Sequence, residues 1–453
     1  MERVKTGNAT LDYILEGGFP RNSINIVMGR PGSGKTILTQ QLAFANADED
    51  RPVLYLTTLS EPLPKMLGYL QELTFSDIGR VGSSIFYEGL DETLAKSPDE
   101  LHDRVLDLIQ QHRPRVLVID SFKAIADLMP DTPVWRKMVF ELANLLSAYD
   151  TTSFWIGEYG SSDPDTIEFA IADGILELWR EQSGTRDDRY LRVGKLRGSG
   201  FFDGSHAFTI GADGLRVFPR LVAPPMPRYQ PVPARLRSGV GGLDAMVESG
   251  WLSGTSTLVA GPSGAGKTIV GLHFLRQGVQ DGEPGLLVNF QENPVQLRRT
   301  MTRLGWEPEQ LIGPGRLDVL YTSPVELHID SIVGEMFRRI EENGVQRVFI
   351  DALSDVEKAS RDPRRFRDYV YSLTQHFAAR NVTAMLALES STDAPHHSLT
   401  GHDVSYMSDN ILLLTMELEE ELTRTIRVMK SRGSAHDGKR HLLRIVPGGV
   451  LVQ

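Results

Sequence analysis

Residues 29–36 read GRPGSGKT, and residues 261–268 read GPSGAGKT. Both fit the pattern G-x-x-x-x-G-K-[ST], in which a glycine-rich turn leaves a strand and opens a helix. The second copy follows the first by 232 residues. The same offset carries TGNATLDYILEGGFP at 6–20 onto SGVGGLDAMVESGWL at 238–252. Gly7, Leu11, Asp12, Glu16 and Gly18 then meet Gly239, Leu243, Asp244, Glu248 and Gly250 without a gap. Two motifs inside matching flanks read as one duplicated domain.

Each motif carries a mechanism. Gly29, Gly32 and Gly34, with counterparts Gly261, Gly264 and Gly266, permit a tight turn that a phosphate can approach closely. The backbone N–H groups of that turn, including those at Ser33 and Ala265, point at phosphate oxygens with the helix dipole behind them. Lys35 and Lys267 are expected to reach the β- and γ-phosphates, and Thr36 and Thr268 to place a hydroxyl on Mg²⁺. The expected ligands are therefore ATP and Mg²⁺. A buried strand facing the turn should end in a carboxylate that holds the metal through water. Asp120 ends RVLVID and Asp351 ends RVFID.

Hydrolysis also needs a carboxylate to orient or deprotonate water. After its second strand the second half reads VNFQENP, with Glu292. The first half reads LTTLSEP, and aligning Pro62 with Pro294 sets Ser60 opposite Glu292. Glu61 lies one step later, which in an extended segment points it to the other side unless a turn returns it. Glu292 and Glu61 are the candidate catalytic carboxylates, alongside Lys35, Lys267, Asp120 and Asp351. The second site is expected to activate water better, and the first to hold ATP for longer.

Around these motifs, short apolar runs alternate with helical patterns in both halves. Near-continuous Val/Ile/Leu strands between helices predict a mostly parallel sheet covered on both faces. Closely spaced later strands predict an antiparallel extension. The fold class expected from this pattern is α/β, as two tandem P-loop domains. In the first, Leu101, Val105, Leu108, Ile109 and His112 share one helix face. Residues 218–233 hold six prolines, which exclude regular helix and central strand. The expected layout is a first domain at 1–220, a proline-rich linker at 221–234 and a second domain at 235–453.

The chain has 453 residues, 41% of them hydrophobic, enough to bury cores. With no cysteine, it has neither disulfides nor thiolate metal sites. No apolar run suits a membrane span and no leader pattern opens the chain, so a cytoplasmic location is expected. A net charge of −11 argues against general polyanion binding, and nucleic acid is not an expected partner. RDPRRFRDYV at 361–370 reads as a solvated helix start, and His396–His397 lack zinc-ligand spacing.

Together the paired P-loops, their TG…LD and SG…LD leaders, the strand-end aspartates and the motifs KLRGS and KSRGS resemble the KaiC family across almost the whole chain. That resemblance implies that the two domains are RecA-like and form a homo-hexameric, double-ring ATPase with ATP between subunits. Lys195 and Arg197, and Lys430 and Arg432, would then reach a neighbour's nucleotide. It also implies Ser/Thr autophosphorylation in the second domain. SLTGHDVSYMSDN offers Ser405 as the acceptor, with Tyr406 and Thr400 beside it. A KaiB-like or other signalling protein is the implied partner. The chain stops at GGVLVQ, where clock members continue into a partner-docking tail, so a simpler timer, signalling ATPase or scaffold is expected. Two alternatives stand beside this reading: an ATP-gated interaction scaffold with little turnover, and a RecA-like DNA-dependent ATPase.

Overall fold

The computed structural model describes residues 2–58, 63–90, 97–128, 132–159, 166–183, 186–224, 234–324, 328–360, 362–390, 404–418 and 421–453. Glu61, Thr400 and the His396–His397 pair fall outside these ranges. The chain divides into two compact units, Met1–Arg220 and Leu221–Gln453.

In the first unit the apolar runs become β1 Ile24–Met28, β2 Val53–Thr58, β3 Ile85–Leu90, β4 Val116–Asp120 and β5 Thr152–Gly157. They pair in parallel in the order β1-β5-β4-β2-β3. Helices α1 Lys35–Asn46, α2 Pro98–His112 and α3 Thr132–Ala148 pack against them. Alternate residues of one strand serve opposite faces, as strand geometry requires. Val53 and Tyr55 join a core with Leu38 and Leu42 of α1, while Leu54 and Leu56 join a second with α2 and α3. The stripe Leu101, Val105, Leu108 and Ile109 of α2 is buried as its spacing predicts.

Beyond β1 the sheet changes character. Strand β6 Gly174–Ser183 still runs parallel to β1. Then β7 Arg186–Leu196, β8 His206–Gly211 and β9 Gly214–Phe218 each turn back on the one before. The result is one nine-stranded sheet, β9-β8-β7-β6-β1-β5-β4-β2-β3.

The second unit repeats this arrangement. Its parallel strands are β10 Ser256–Gly261, β11 Gly285–Asn289, β12 Leu317–Tyr321, β13 Arg347–Asp351 and β14 Thr383–Glu389. The extension is β15 Asn410–Leu418, β16 Leu422–Ser431, β17 His441–Val446 and β18 Gly449–Val452. Its helices include α4 Lys267–Asp281, α5 Pro294–Arg303, α6 Ile329–Asn343 and α7 Pro363–Ala379. The strand order β12-β11-β13-β14-β10-β15-β16-β17-β18 is that of the first unit, element for element.

The matched leaders prove to be structural. Asp12 Oδ1 accepts from the backbone N–H of Thr6 at 2.8 Å and from its hydroxyl at 2.9 Å. Asp244 Oδ1 does the same for Ser238, at 2.7 and 2.6 Å. Leu221, from the expected linker, packs against the second unit's core, and Val222 O lies 2.8 Å from His376 Nε2. At the basic stretch Asp362 caps α7, Phe366 and Tyr369 are buried, and Arg365 donates to the buried Asp330 at 2.8 Å. Among the described residues no helix is long and apolar enough to cross a membrane.

Candidate nucleotide site

Both glycine turns leave the central strand, β1 or β10, and open α1 or α4. Gly34 and Gly266 cap these helices at φ 106° and 103°, a left-handed conformation that glycine adopts without steric penalty. A Cβ on Gly29 would lie 2.1 Å from Leu178 O, so the backbone there has no room for a side chain. The turns accordingly present bare main chain, the form that a phosphate cradle takes.

The lysines are nearly buried, at 8% and 9% exposure. Lys35 Nζ donates to Gly29 O and Arg30 O at 2.8 and 3.0 Å. Lys267 Nζ donates to Gly261 O and Pro262 O, both at 2.8 Å. Burial lowers the pKa of each lysine, and nearby carboxylates oppose that: Glu158 then Asp120 for Lys35, Glu389 then Asp351 for Lys267.

Thr36 Oγ1 donates to Asp120 Oδ2 at 2.9 Å, and Thr268 Oγ1 to Asp351 Oδ2 at 2.7 Å. Each threonine–aspartate pair spans the gap between the helix start and its strand end. A hydroxyl beside a carboxylate is the donor set for Mg²⁺ that keeps its waters and leans on substrate phosphates. Burial raises the pKa of Asp351, and the Thr268 hydrogen bond and Lys267 oppose it.

Glu292 is held by its neighbours. Asn289 Nδ2 donates to Glu292 O at 2.9 Å, and Asn289 Oδ1 accepts from Gln291 N at 3.1 Å. Directly after it, Asn293 and Gln296 form a capping box that starts α5 with Pro294 in its first turn. Glu292 Oε2 is buried with no hydrogen-bond partner among the described residues, and its charge acts on Asp351 to raise that residue's pKa. A buried acceptor left open beside the Asp351 carboxylate fits a group that takes a proton from an incoming hydroxyl or water.

The basic motifs lie elsewhere. Lys195 pairs across the sheet with Ile175, which is level with Ile26 of β1. Arg197 N donates to Asp173 O, and Asp173 N to Ile24 O, so Arg197 stands level with the first residue of β1. In the second unit Arg432 N reaches Asp409 O, and Asp409 N reaches Ser256 O at the start of β10. Arg197 and Arg432 therefore stand at the end of the central strand away from their own glycine turn, while Lys195 and Lys430 are level with its middle and donate to Phe169 O and Ser408 O near that same end. The strand between each arginine and its turn is about 13–17 Å long, at roughly 3.3 Å per residue. Within their own unit Lys195 and Arg197 contact Phe169 O and Asp173. Lys430 Nζ donates to Ser405 O and Ser408 O at 3.2 and 2.6 Å, and Arg432 to Tyr406 O at 3.0 Å. Burial lowers the pKa of Lys195 and of Lys430, each with its neighbouring arginine adding to the effect. Half-buried Ser405 and exposed Tyr406 thus share an edge with Lys430 and Arg432, far from their own Lys267.

Sequence reading missed three features. Glu158 and Glu389 end or follow β5 and β14, the strands between the glycine turn and the aspartate strand, and Glu158 Oε1 lies 3.9 Å from Lys35 Nζ. The β-hairpins beside each turn add arginines: Arg189 lines a cavity of about 420 Å³ with Gly32, Gly34, Lys35 and Thr36, and Arg424 Nε donates to Gly264 O at 2.9 Å. Finally, Tyr55 OH donates to Asp120 Oδ2 at 3.1 Å. Burial, reinforced by Asp120, pushes the Tyr55 phenol well above its usual pKa, so it remains a donor.

Comparison with known proteins follows the same lines. The family model for the KaiC ATPase matches twice, over residues 4–222 and 236–453. The chain is 28% identical over 472 residues to the circadian clock oscillator protein KaiC of Picosynechococcus sp., covering 100% of this chain and 90% of that protein. It is also 28% identical over 452 residues to the circadian clock oscillator protein KaiC 1 of Synechocystis sp., covering 96% and 86%. The same identity and coverage hold for the KaiC of Rippkaea orientalis.

Proposed function

This chain belongs to the KaiC ATPase family, and we propose that it hydrolyses ATP at two unequal sites, each closed by a neighbouring copy in a ring. The observation that carries this reading is the position of Arg197 and Arg432 at the end of the central strand away from their own glycine turns. A cation there serves no nucleotide in its own unit, whereas a ring of like copies brings that end to the next protomer's turn. There Lys430 and Arg432, or Lys195 and Arg197, stabilise charge on the phosphoryl group being transferred. A homo-hexamer with stacked rings is the assembly proposed, in the cytoplasm, with a signalling or timing output read by a KaiB-like or other partner.

The residue roles follow from the chemistry. Lys267 and the turn's N–H groups orient the phosphates, and Thr268 and Asp351 would hold Mg²⁺, which would supply positive charge to the phosphoryl group being transferred. Glu292 takes the proton of the attacking water. In the first half the sequence aligns Ser60 with Glu292, and Ser60 lies outside the described residues; a serine at that position favours retention of nucleotide over turnover there.

The same geometry supports self-modification. Ser405 lies beside Lys430, at the edge proposed to meet a neighbour's nucleotide. Its hydroxyl attacks the γ-phosphorus, the bond to the β,γ-bridging oxygen breaks, ADP leaves, and the proton passes to that neighbour's Glu292. Incubation with Mg·ATP should place one phosphate on the peptide carrying Ser405, read by mass spectrometry. Ser405→Ala should remove it, and Tyr406→Phe should not. An unmodified wild-type peptide removes the kinase part of the proposal and leaves the ATPase part standing.

A further inference from the structure

Tyr55 is fully buried on β2, the strand next to the edge of the first unit's sheet, yet it brings a hydroxyl to Asp120. It belongs to a small polar group. Thr39 Oγ1 lies 3.1 Å from the Tyr55 hydroxyl. The Tyr87 ring packs against Tyr55 at 5.3 Å between centroids, and Tyr87 OH donates to Gln40 Oε1 at 2.6 Å.

The twin unit shows that the fold needs none of this. Offset and strand register set Gly271, Leu272, Leu287 and Val319 opposite Thr39, Gln40, Tyr55 and Tyr87. Where Val118 pairs with Tyr55, Phe349 pairs with Leu287. The Phe349 ring fills the space, lying 2.2 Å from where a Cβ on Gly271 would be. One backbone thus accommodates either an apolar plug or a hydrogen-bonded polar cluster. A buried polar cluster has no stability advantage over well-packed apolar side chains of similar volume. Its difference lies in what the hydroxyl touches, and that is the carboxylate facing the P-loop threonine.

We propose that Tyr55 is a positioning residue for the first site, fixing the Asp120 carboxylate toward the Mg²⁺-binding position so that this site holds the metal–nucleotide complex in a way the second cannot. The inference rests on the reading that each glycine turn binds Mg·ATP. It assigns the inequality of the two sites to the metal as well as to the missing glutamate. Asp120 keeps Thr36 as a donor without Tyr55, so loss of the phenol should loosen the carboxylate rather than remove it.

The test uses the full chain carrying Lys267→Ala, which silences the second site. Nucleotide affinity is measured with Mg²⁺ and again in EDTA, before and after adding Tyr55→Phe. A hydrogen bond to a charged group predicts about tenfold weaker binding of Mg·ATP. Binding in EDTA should stay within about twofold, because the lysine and backbone contacts remain. Tyr55→Leu, the residue type of the second unit, should repeat the result. Equal weakening in both conditions, or no change in either, overturns the proposal. A parent protein that binds no ATP in either condition contradicts the nucleotide-site reading itself, which separates the two failures.

Discussion

Glu292→Gln should stop second-site chemistry while leaving ATP bound. Glutamine keeps the size of the side chain and its hold within the Asn289–Asn293 turn, but it cannot accept a proton. General-base catalysis is typically worth a factor of about 10²–10⁴, so turnover at this site should fall by at least about a hundredfold. The affinity for ATP should change by less than about threefold, because the glycine turn, Lys267 and Thr268 are untouched. The structural warrant is specific. Glu292 Oε2 is buried and has no hydrogen-bond partner among the described residues, and its charge bears on Asp351. The measurement is phosphate release with Lys35→Ala present in both parent and variant, so that only the second site contributes. Unchanged turnover means that another group activates water there.

Lys267→Ala should empty the second site. The ammonium is nearly buried between the carbonyls of Gly261 and Pro262, with Asp351 and Glu389 as its charged neighbours. Truncation leaves those carboxylates facing the phosphates without an intervening cation. Removing one member of a buried, hydrogen-bonded charge set costs about 2–5 kcal/mol, or at least about thirtyfold in affinity. Bound nucleotide per chain, counted after rapid gel filtration in ATP, should fall from about two to about one, since Lys35 serves a separate site. Two nucleotides still bound would show that backbone contacts suffice.

Much of this architecture can be read along the chain because its signals are local. Continuous apolar runs such as SFWIGEY can hardly be anything but buried strands, and every residue of β5 is indeed buried. The two glycine turns announce themselves, and their fixed offset exposes the duplication. Asp120 and Asp351 follow from ending such strands, and Glu292 from its place just after the second strand of its half. What the sequence hides depends on register between distant strands. Tyr55 looks like an ordinary core aromatic until β4 is laid beside β2. Glu158 and Glu389 look like solvated strand ends until β5 and β14 are seen next to the central strands. The basic motifs follow the same logic. KLRGS and KSRGS end antiparallel strands, and that reversal sends their arginines to the far end of the central strand.

Closure of each pocket by a neighbouring copy can be tested by mixing two disabled variants. Lys267→Ala lacks the second-site P-loop cation, and Arg432→Ala lacks the cation offered across the boundary. Each alone should lose the Glu292-dependent part of turnover. Mixed one to one and allowed to exchange, about a quarter of head-to-tail interfaces should carry both intact residues. Activity should recover to about that fraction, and a chain carrying both substitutions should restore none when mixed with itself. A mixture no more active than its components would mean that Arg432 serves only its own chain, contradicting the account.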